Sequence, residues 1–318
     1  MRQPMRQPTT QPVSRTRPAR LRPGGTVAIV APSGPPPPEL VDSSVAVLAD
    51  WGLTVRVGGH VLDRHPDLRY LAGTDAHRAA DLQRAWCDPG IDAVVCARGG
   101  YGAMRMVDLL DWDAMAEARP DGPPVFTGSS DITALHTAIG ERLGAVTVFS
   151  PITSGESFDQ TAQKYLRATL FEPETMLSIT GPSVATMNHG SATGMLVGGN
   201  LSLLSSCVGA AGPAPDSSIV LLEDVNEEPY QIDRMLTQLL RSGWFTGVAG
   251  IALGSWTGCG EPSDVYAVVA DLLGGLGIPM VWELGFGHVP AQLTVPLGVE
   301  ATLDADAGTL TLAEPAQR

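Results

Sequence analysis

The chain has 318 residues, 44% hydrophobic and 17% charged, enough apolar material for one large core or two modest ones. Six Arg and no acid fall within residues 1–22, which leaves 14 basic against 34 acidic residues over the remainder. So acidic a body excludes a phosphate-binding footprint and hence nucleic acid, and no apolar run approaches the roughly 18 residues of a membrane span.

The first 23 residues read as a disordered basic tail without the apolar stretch of a secretory signal, so the protein is expected in the cytoplasm. Residues 26–31 (TVAIVA) form a short apolar run ending in Pro-Ser-Gly, the pattern of a buried strand. Over 39–51, Leu40, Val41, Val45, Val47 and Leu48 recur at helical spacing. A strand at 53–57 follows, then a helix capped by Thr74 or Asp75 and running to Cys87. Next come a strand at 91–97, a helix at 103–110, a strand at 124–127, a turn at 128–130 and a helix at 131–142. Strands alternating with helices predict a parallel sheet covered on both faces. Beyond 151 the pattern loosens: 159–171 reads as a helix and 173–190 as an extended linker. The remainder reads as strand 193–198, helix 201–208, strand 218–223, amphipathic helix 229–241, strand 248–253 and helix 263–273. Strands at 279–283, 292–295, 299–303 and 309–312 close the chain, the last two as a hairpin. The expected division is a tail over 1–23, a first domain over 24–155, a linker over 156–190 and a second domain over 191–318.

Functional groups of open parallel sheets gather at the carboxyl ends of the strands, and three loops there carry chemistry. In Thr127-Gly128-Ser129-Ser130-Asp131 a strand stops, the chain turns and a helix begins, so a serine is presented at a helix N-terminus. The plainer alternative is a helix cap by Ser129 or Ser130. In Arg98-Gly99-Gly100-Tyr101-Gly102 the glycines let backbone N–H groups approach a ligand or an oxyanion; a tight turn is the alternative. The dinucleotide pattern G-x-G-x-x-G fails there, because Arg105 stands where its last glycine belongs. The third group lies in the second half. Glu223 ends a strand, and among six histidines His288 alone sits in a Gly-rich turn bounded by strands. A nucleophilic serine needs a base, and the base an acid to orient it. The acids Glu223, Asp224, Glu227 and Glu228 could instead form a solvated patch or a cation site, but no second ligand cluster has metal spacing. The cysteines Cys87, Cys96, Cys207 and Cys259 lack metal or redox spacing and read as free thiols, with Cys96 buried.

Six stretches lift this pattern to a family. VAIVAPSG (27–34), YLAGTDAHRAADLQRAWCDPGIDAVVCARGGYGAMR (70–105), FTGSSDITAL (126–135), GGNLSLL (198–204), LLEDVNEEPYQIDRML (221–236) and GFGHVPAQLTVPLGVEATLD (285–304) strongly resemble the L,D-carboxypeptidase family. That family includes muramoyl-tetrapeptide carboxypeptidases and microcin C immunity peptidases. The resemblance implies an α/β fold: an N-terminal Rossmann-like (flavodoxin-like) parallel sheet domain and a C-terminal β-rich α/β domain, with the site between them and often a homodimer. It implies a catalytic triad of Ser130, Glu223 and His288, and an oxyanion hole from the N–H groups of Gly100 and Asp131. Arg98 and Ser129 are candidate substrate-binding residues, Ser129 standing where relatives often carry an aromatic residue. No cofactor, metal, nucleic acid or membrane partner is expected. The implied substrate is a small peptide, a murein tetrapeptide losing its terminal D-Ala. The alternatives are a peptidyl or aminoacyl-adenylate analogue, for which Trp244 and Trp256 would be base clamps, and a non-catalytic protein that binds in the same cleft. An esterase of the α/β-hydrolase type is disfavoured, because Ile132 breaks G-x-S-x-G.

Overall fold

The computed structural model describes residues 15–155 and 157–318. Its first half alternates strand and helix. These elements are β1 (Thr26–Val30), α1 (Pro38–Asp50), β2 (Thr54–Val57), α2 (Asp75–Cys87) and β3 (Ala93–Cys96), followed by α3 (Ala103–Met106), α4 (Trp112–Glu117), β4 (Val125–Gly128), α5 (Thr133–Leu143) and β5 (Thr147–Phe149). The second half holds α6 (Gln160–Phe171), β6 (Ser178–Ile179), β7 (Ala185–Asn188), β8 (Ser191–Asn200), α7 (Leu201–Ser206), β9 (Ser218–Val225) and α8 (Pro229–Arg241). It continues with β10 (Gly250–Thr257), α9 (Pro262–Leu273), β11 (Met280–Trp282), β12 (Val295–Leu297), β13 (Glu300–Asp304) and β14 (Thr309–Leu312). Among the described residues no helix is long and apolar enough to cross a membrane.

The first sheet runs β12-β5-β4-β3-β1-β2, with β1 to β5 parallel and β12 antiparallel at the edge. Both faces of its centre are covered, so its strands read as continuous apolar runs rather than alternating ones. Ala28 and Val30 of β1 and Val94 and Cys96 of β3 pack with Leu82 and Trp86 of α2 and with Leu135 and Ile139 of α5. Their neighbours Val27, Ile29, Ala93 and Val95 face the other way, against Val41 and Leu48 of α1 and Leu166 and Leu170 of α6.

The second sheet runs β6-β14-β13-β8-β9-β10-β11-β7, with a parallel centre from β8 to β11 and antiparallel flanks. Leu236 and Leu239 of α8 and Val269 and Leu273 of α9 cover one face through Val220, Leu222, Ile251 and Leu253. The other face meets the first sheet: Ile219, Leu221, Ala252 and Phe286 share a core with Val146, Phe149, Val295 and Leu297. The rings of Phe149 and Phe286 meet edge-on at 5.9 Å.

The expected organisation needs four corrections. Residues 1–14 of the supposed tail lie outside the described residues, but 15–23 are packed. Leu21 is buried and its N–H donates to Leu170 O (2.9 Å), while the Arg20 N–H donates to Arg318 O and the Arg318 N–H to Pro18 O. The segment 156–190 is no free linker: α6 packs on the first sheet and β6 and β7 edge the second. The helix expected over 103–110 is α3 followed by a 3₁₀ turn, Val107–Leu109. The strand expected at 292–295 begins at Val295 as β12 and joins the first sheet, not the second.

Candidate active site

Ser130 stands two residues beyond the end of β4 and opens a 3₁₀ turn, Ser130–Ile132, that runs into α5. Its φ of +63° lies in the left-handed region, which a side chain rarely adopts and which a surrounding structure must hold. The loops after β1 and β3 do the holding. Asp131 is 1% exposed; its carboxylate accepts from Ser33 Oγ (2.5 Å) in the loop after β1 and from the Ala103 N–H (2.8 Å) at the start of α3. Burial pushes its carboxyl up, against the opposing pull of the Ser33 and Ala103 hydrogen bonds. Gly99 closes the third side: a Cβ there would stand 2.7 Å from Ser130 Cβ and 3.0 Å from its Oγ, so only glycine lets this loop approach. The Gly100 N–H donates to no backbone carbonyl among the described residues, and Asp131, second in its turn, has no intrahelical acceptor for its own.

His136 anchors the strand end from below. It is fully buried, and its Nε2–H donates to Gly128 O (2.9 Å), which leaves Nδ1 to accept from Thr147 Oγ1 (2.8 Å). Burial lowers its pKa from 6.5 to about 4 despite the Gly128 hydrogen bond, so the native imidazole is neutral. The unfolded chain then binds a proton that the native state refuses between these two values. Stability is therefore expected to fall by up to about 3 kcal/mol as pH drops from 6.5 to 4, a loss His136→Gln should not share. Urea unfolding of both proteins across that range checks it; parallel curves would remove His136 as the cause.

On the second sheet, Glu223 lies two residues before the end of the central strand β9 with no exposed surface, and Asn200 stands opposite it in β8. The His288 Nδ1–H donates to Glu223 Oε2 (2.7 Å), and Asn200 Nδ2 donates to Glu223 Oε1 (3.2 Å) and Asp224 Oδ1 (2.9 Å). Gly287 makes room for the pair: a Cβ there would lie 2.8 Å from Glu223 Oε2 and 2.6 Å from Ser255 Oγ. Burial would depress His288, but the hydrogen bond and charge of Glu223, with the charge of Asp224, outweigh it and raise the imidazole above its ordinary value. Burial first, and the Glu223 charge second, push Asp224 up to about 7. Glu223 and Asp224 are thus buried, not part of a solvated acidic patch.

The two halves meet through Asn200, whose backbone N–H donates to Thr133 Oγ1 (3.0 Å), three residues beyond Ser130. A run of hydrogen bonds therefore joins the turn of Ser130 to the pair Glu223–His288. No hydrogen bond links Ser130 to His288 among the described residues. Arg98 is half-buried, with Nε toward Gly99 O (3.2 Å) and Nη1 toward Pro35 O (3.4 Å), and Ser129 is buried. Trp244 and Trp256 are core residues: one packs edge-on with Phe245 and the other stacks on Trp282. The four cysteines are free and Cys96 is buried, its thiol pushed up by burial. Sequence reasoning overlooked Asn200, Thr133, Ser33 and His136. The signal for Asn200 was its place after Gly198-Gly199 at a strand end; the others lie in element interiors or polar loops with no local mark.

A run of hydrogen bonds thus joins the strained turn of Ser130 to a buried carboxylate–imidazole pair, and comparison with known proteins places the chain. It belongs to the LD-carboxypeptidase family, whose N-terminal domain matches residues 27–150 and whose C-terminal domain matches 193–303. It is thus a serine-type carboxypeptidase. It is 56% identical to a putative carboxypeptidase of Streptomyces coelicolor over 94% of this chain and 97% of that one. It is 30% identical to the murein tetrapeptide carboxypeptidase of Pseudomonas aeruginosa over 89% and 94%. MccF in complex with glutamyl sulfamoyl guanosine shares the fold, with a TM-score of 0.84 at 21% identity over 95% of this chain and 100% of that one.

Proposed function

We propose that the chain is a serine L,D-carboxypeptidase that removes the terminal D-Ala from a murein tetrapeptide in the cytoplasm, acting as a homodimer. The hydrogen bond between His288 and the wholly buried Glu223 carries this reading. It fixes the imidazole tautomer with the proton on Nδ1, so that Nε2 is free to accept one. His288 takes the proton of Ser130 Oγ as the oxygen attacks the amide carbonyl. The N–H groups of Gly100 and Asp131 receive the oxyanion, each worth about 3 kcal/mol in sites of this kind. His288 then gives its proton to the departing D-Ala nitrogen, and water, deprotonated by the same imidazole, releases the acyl group. Arg98, the cation of the glycine loop, is the candidate partner for the substrate's free carboxylate. Relatives named for murein peptides, 34% and 30% identical, support the substrate class.

The purified chain is expected to release D-Ala from murein tetrapeptide, followed by mass, and to leave a glutamyl sulfamoyl nucleoside intact. The buried positions of Trp244 and Trp256 favour this outcome, since neither is free to clamp a base. Cleavage of the nucleoside conjugate alone would move the reading to the immunity type. Cleavage of neither would leave a protein that only binds in the cleft.

A further inference from the structure

Outside this site, the fold gathers a second set of polar side chains. His60 and Asp63 lie in the loop after β2, and His77 lies in the first turn of α2. Both imidazoles aim Nδ1 at the same oxygen, Asp63 Oδ2, at 2.8 Å and 3.0 Å, and their rings stack at 4.0 Å. One ligand atom from each residue lies within 4.8 Å of the other two. A single carboxylate oxygen with two imidazole nitrogens on it needs only a small opening to surround an ion at the 2.0–2.2 Å typical of zinc.

The backbone beneath is already ordered. The His60 N–H donates to Asp81 Oδ2 (2.7 Å), the His77 N–H to the capping hydroxyl of Thr74 (3.2 Å), and Asp63 rests on Gly73. Among the described residues, Asp63 pairs with no Lys or Arg; its ion-pair partners are the two histidines. Side-chain exposures of 31%, 39% and 48% leave the remaining coordination positions open to water. We propose that His60, Asp63 and His77 form a site for a divalent transition ion of the zinc type. Two imidazoles and one carboxylate suit zinc, cobalt, nickel or copper, whereas calcium and magnesium ask for an all-oxygen shell.

The ion would pin the loop over 58–73 to the start of α2. That loop also carries Tyr70, which meets Tyr101 of the glycine loop edge-on at 5.6 Å.

The test is equilibrium dialysis of the untagged full chain against zinc at neutral pH, with cobalt substitution read by its visible absorption. One equivalent is expected to bind the wild type and His288→Ala alike, and zinc should raise the melting temperature of both. Removing a ligand, in His60→Ala or His77→Ala, should weaken binding by well over tenfold, and Asp63→Asn by about tenfold or more. His77 is exposed and His60 and Asp63 are only partly buried, so circular dichroism of each variant should match the wild type and exclude misfolding. No saturable binding below about 1 mM, or equal binding by wild type and His77→Ala, would overturn the site.

Discussion

Ser130→Ala is expected to lower kcat for D-Ala release by about 10⁶-fold, as loss of the nucleophile does in other serine hydrolases. The substitution removes one oxygen and leaves the backbone at φ +63° equally accommodated, since alanine and serine share the same Cβ. Melting temperature should therefore stay near that of the wild type, and the tetrapeptide should still bind, because the groups proposed to hold it, the Gly100 and Asp131 N–H donors and Arg98, remain. Release of D-Ala followed by mass, with binding measured calorimetrically, separates the two effects. Activity within tenfold of wild type would remove Ser130 from the chemistry and return it to the role of a turn residue.

Glu223→Gln should lower the plateau of kcat by about 10⁴-fold, the scale seen when the orienting acid of a triad is made neutral. Its second signature is in the pH profile. A base must be neutral to work, so in the wild type kcat/KM falls as pH drops through the raised value of His288. Without the Glu223 charge, burial dominates and lowers that value, so the acid limb should move to lower pH. A reduced plateau with an unmoved limb would show that Glu223 supports the fold around His288 without setting its proton affinity.

Much of this could be read in the chain before any coordinates. The strands β1, β3, β4 and β9 are near-continuous apolar runs because helices or a second sheet cover both faces, and such runs are hard to miss. Ser130 and Glu223 follow from position, one just beyond a strand's carboxyl end and the other near one, although the roles proposed for them came from resemblance. The edges were less legible. β5 has three residues, and β6 and β7 are short strands of mixed polarity; none carries a periodic signal above that of a loop. The packing of 15–23 depends on contacts with α6 and Arg318, far away in sequence. The contribution of Asn200 depends on register: it meets Glu223 because β8 and β9 pair as parallel neighbours, which no local pattern reveals. The cluster of His60, Asp63 and His77 escaped for the same reason, because a loop and a helix supply it jointly.

The antiparallel strand β12 begins seven residues after His288 yet pairs Val295 with Phe149 at the edge of the other half's sheet. The chain therefore leaves His288 on the second sheet and fastens its next strand to β5, the neighbour of the strand that precedes Ser130. Residues 27–150 made alone would end in a naked β5 edge, open to pairing with other copies. Supplying the missing half as a separate polypeptide would then restore activity only if it inserted that strand. The protein is in this sense a self-complemented pair, and a proteolytic nick between His288 and Val295 would part β12 from the second half while leaving each sheet whole.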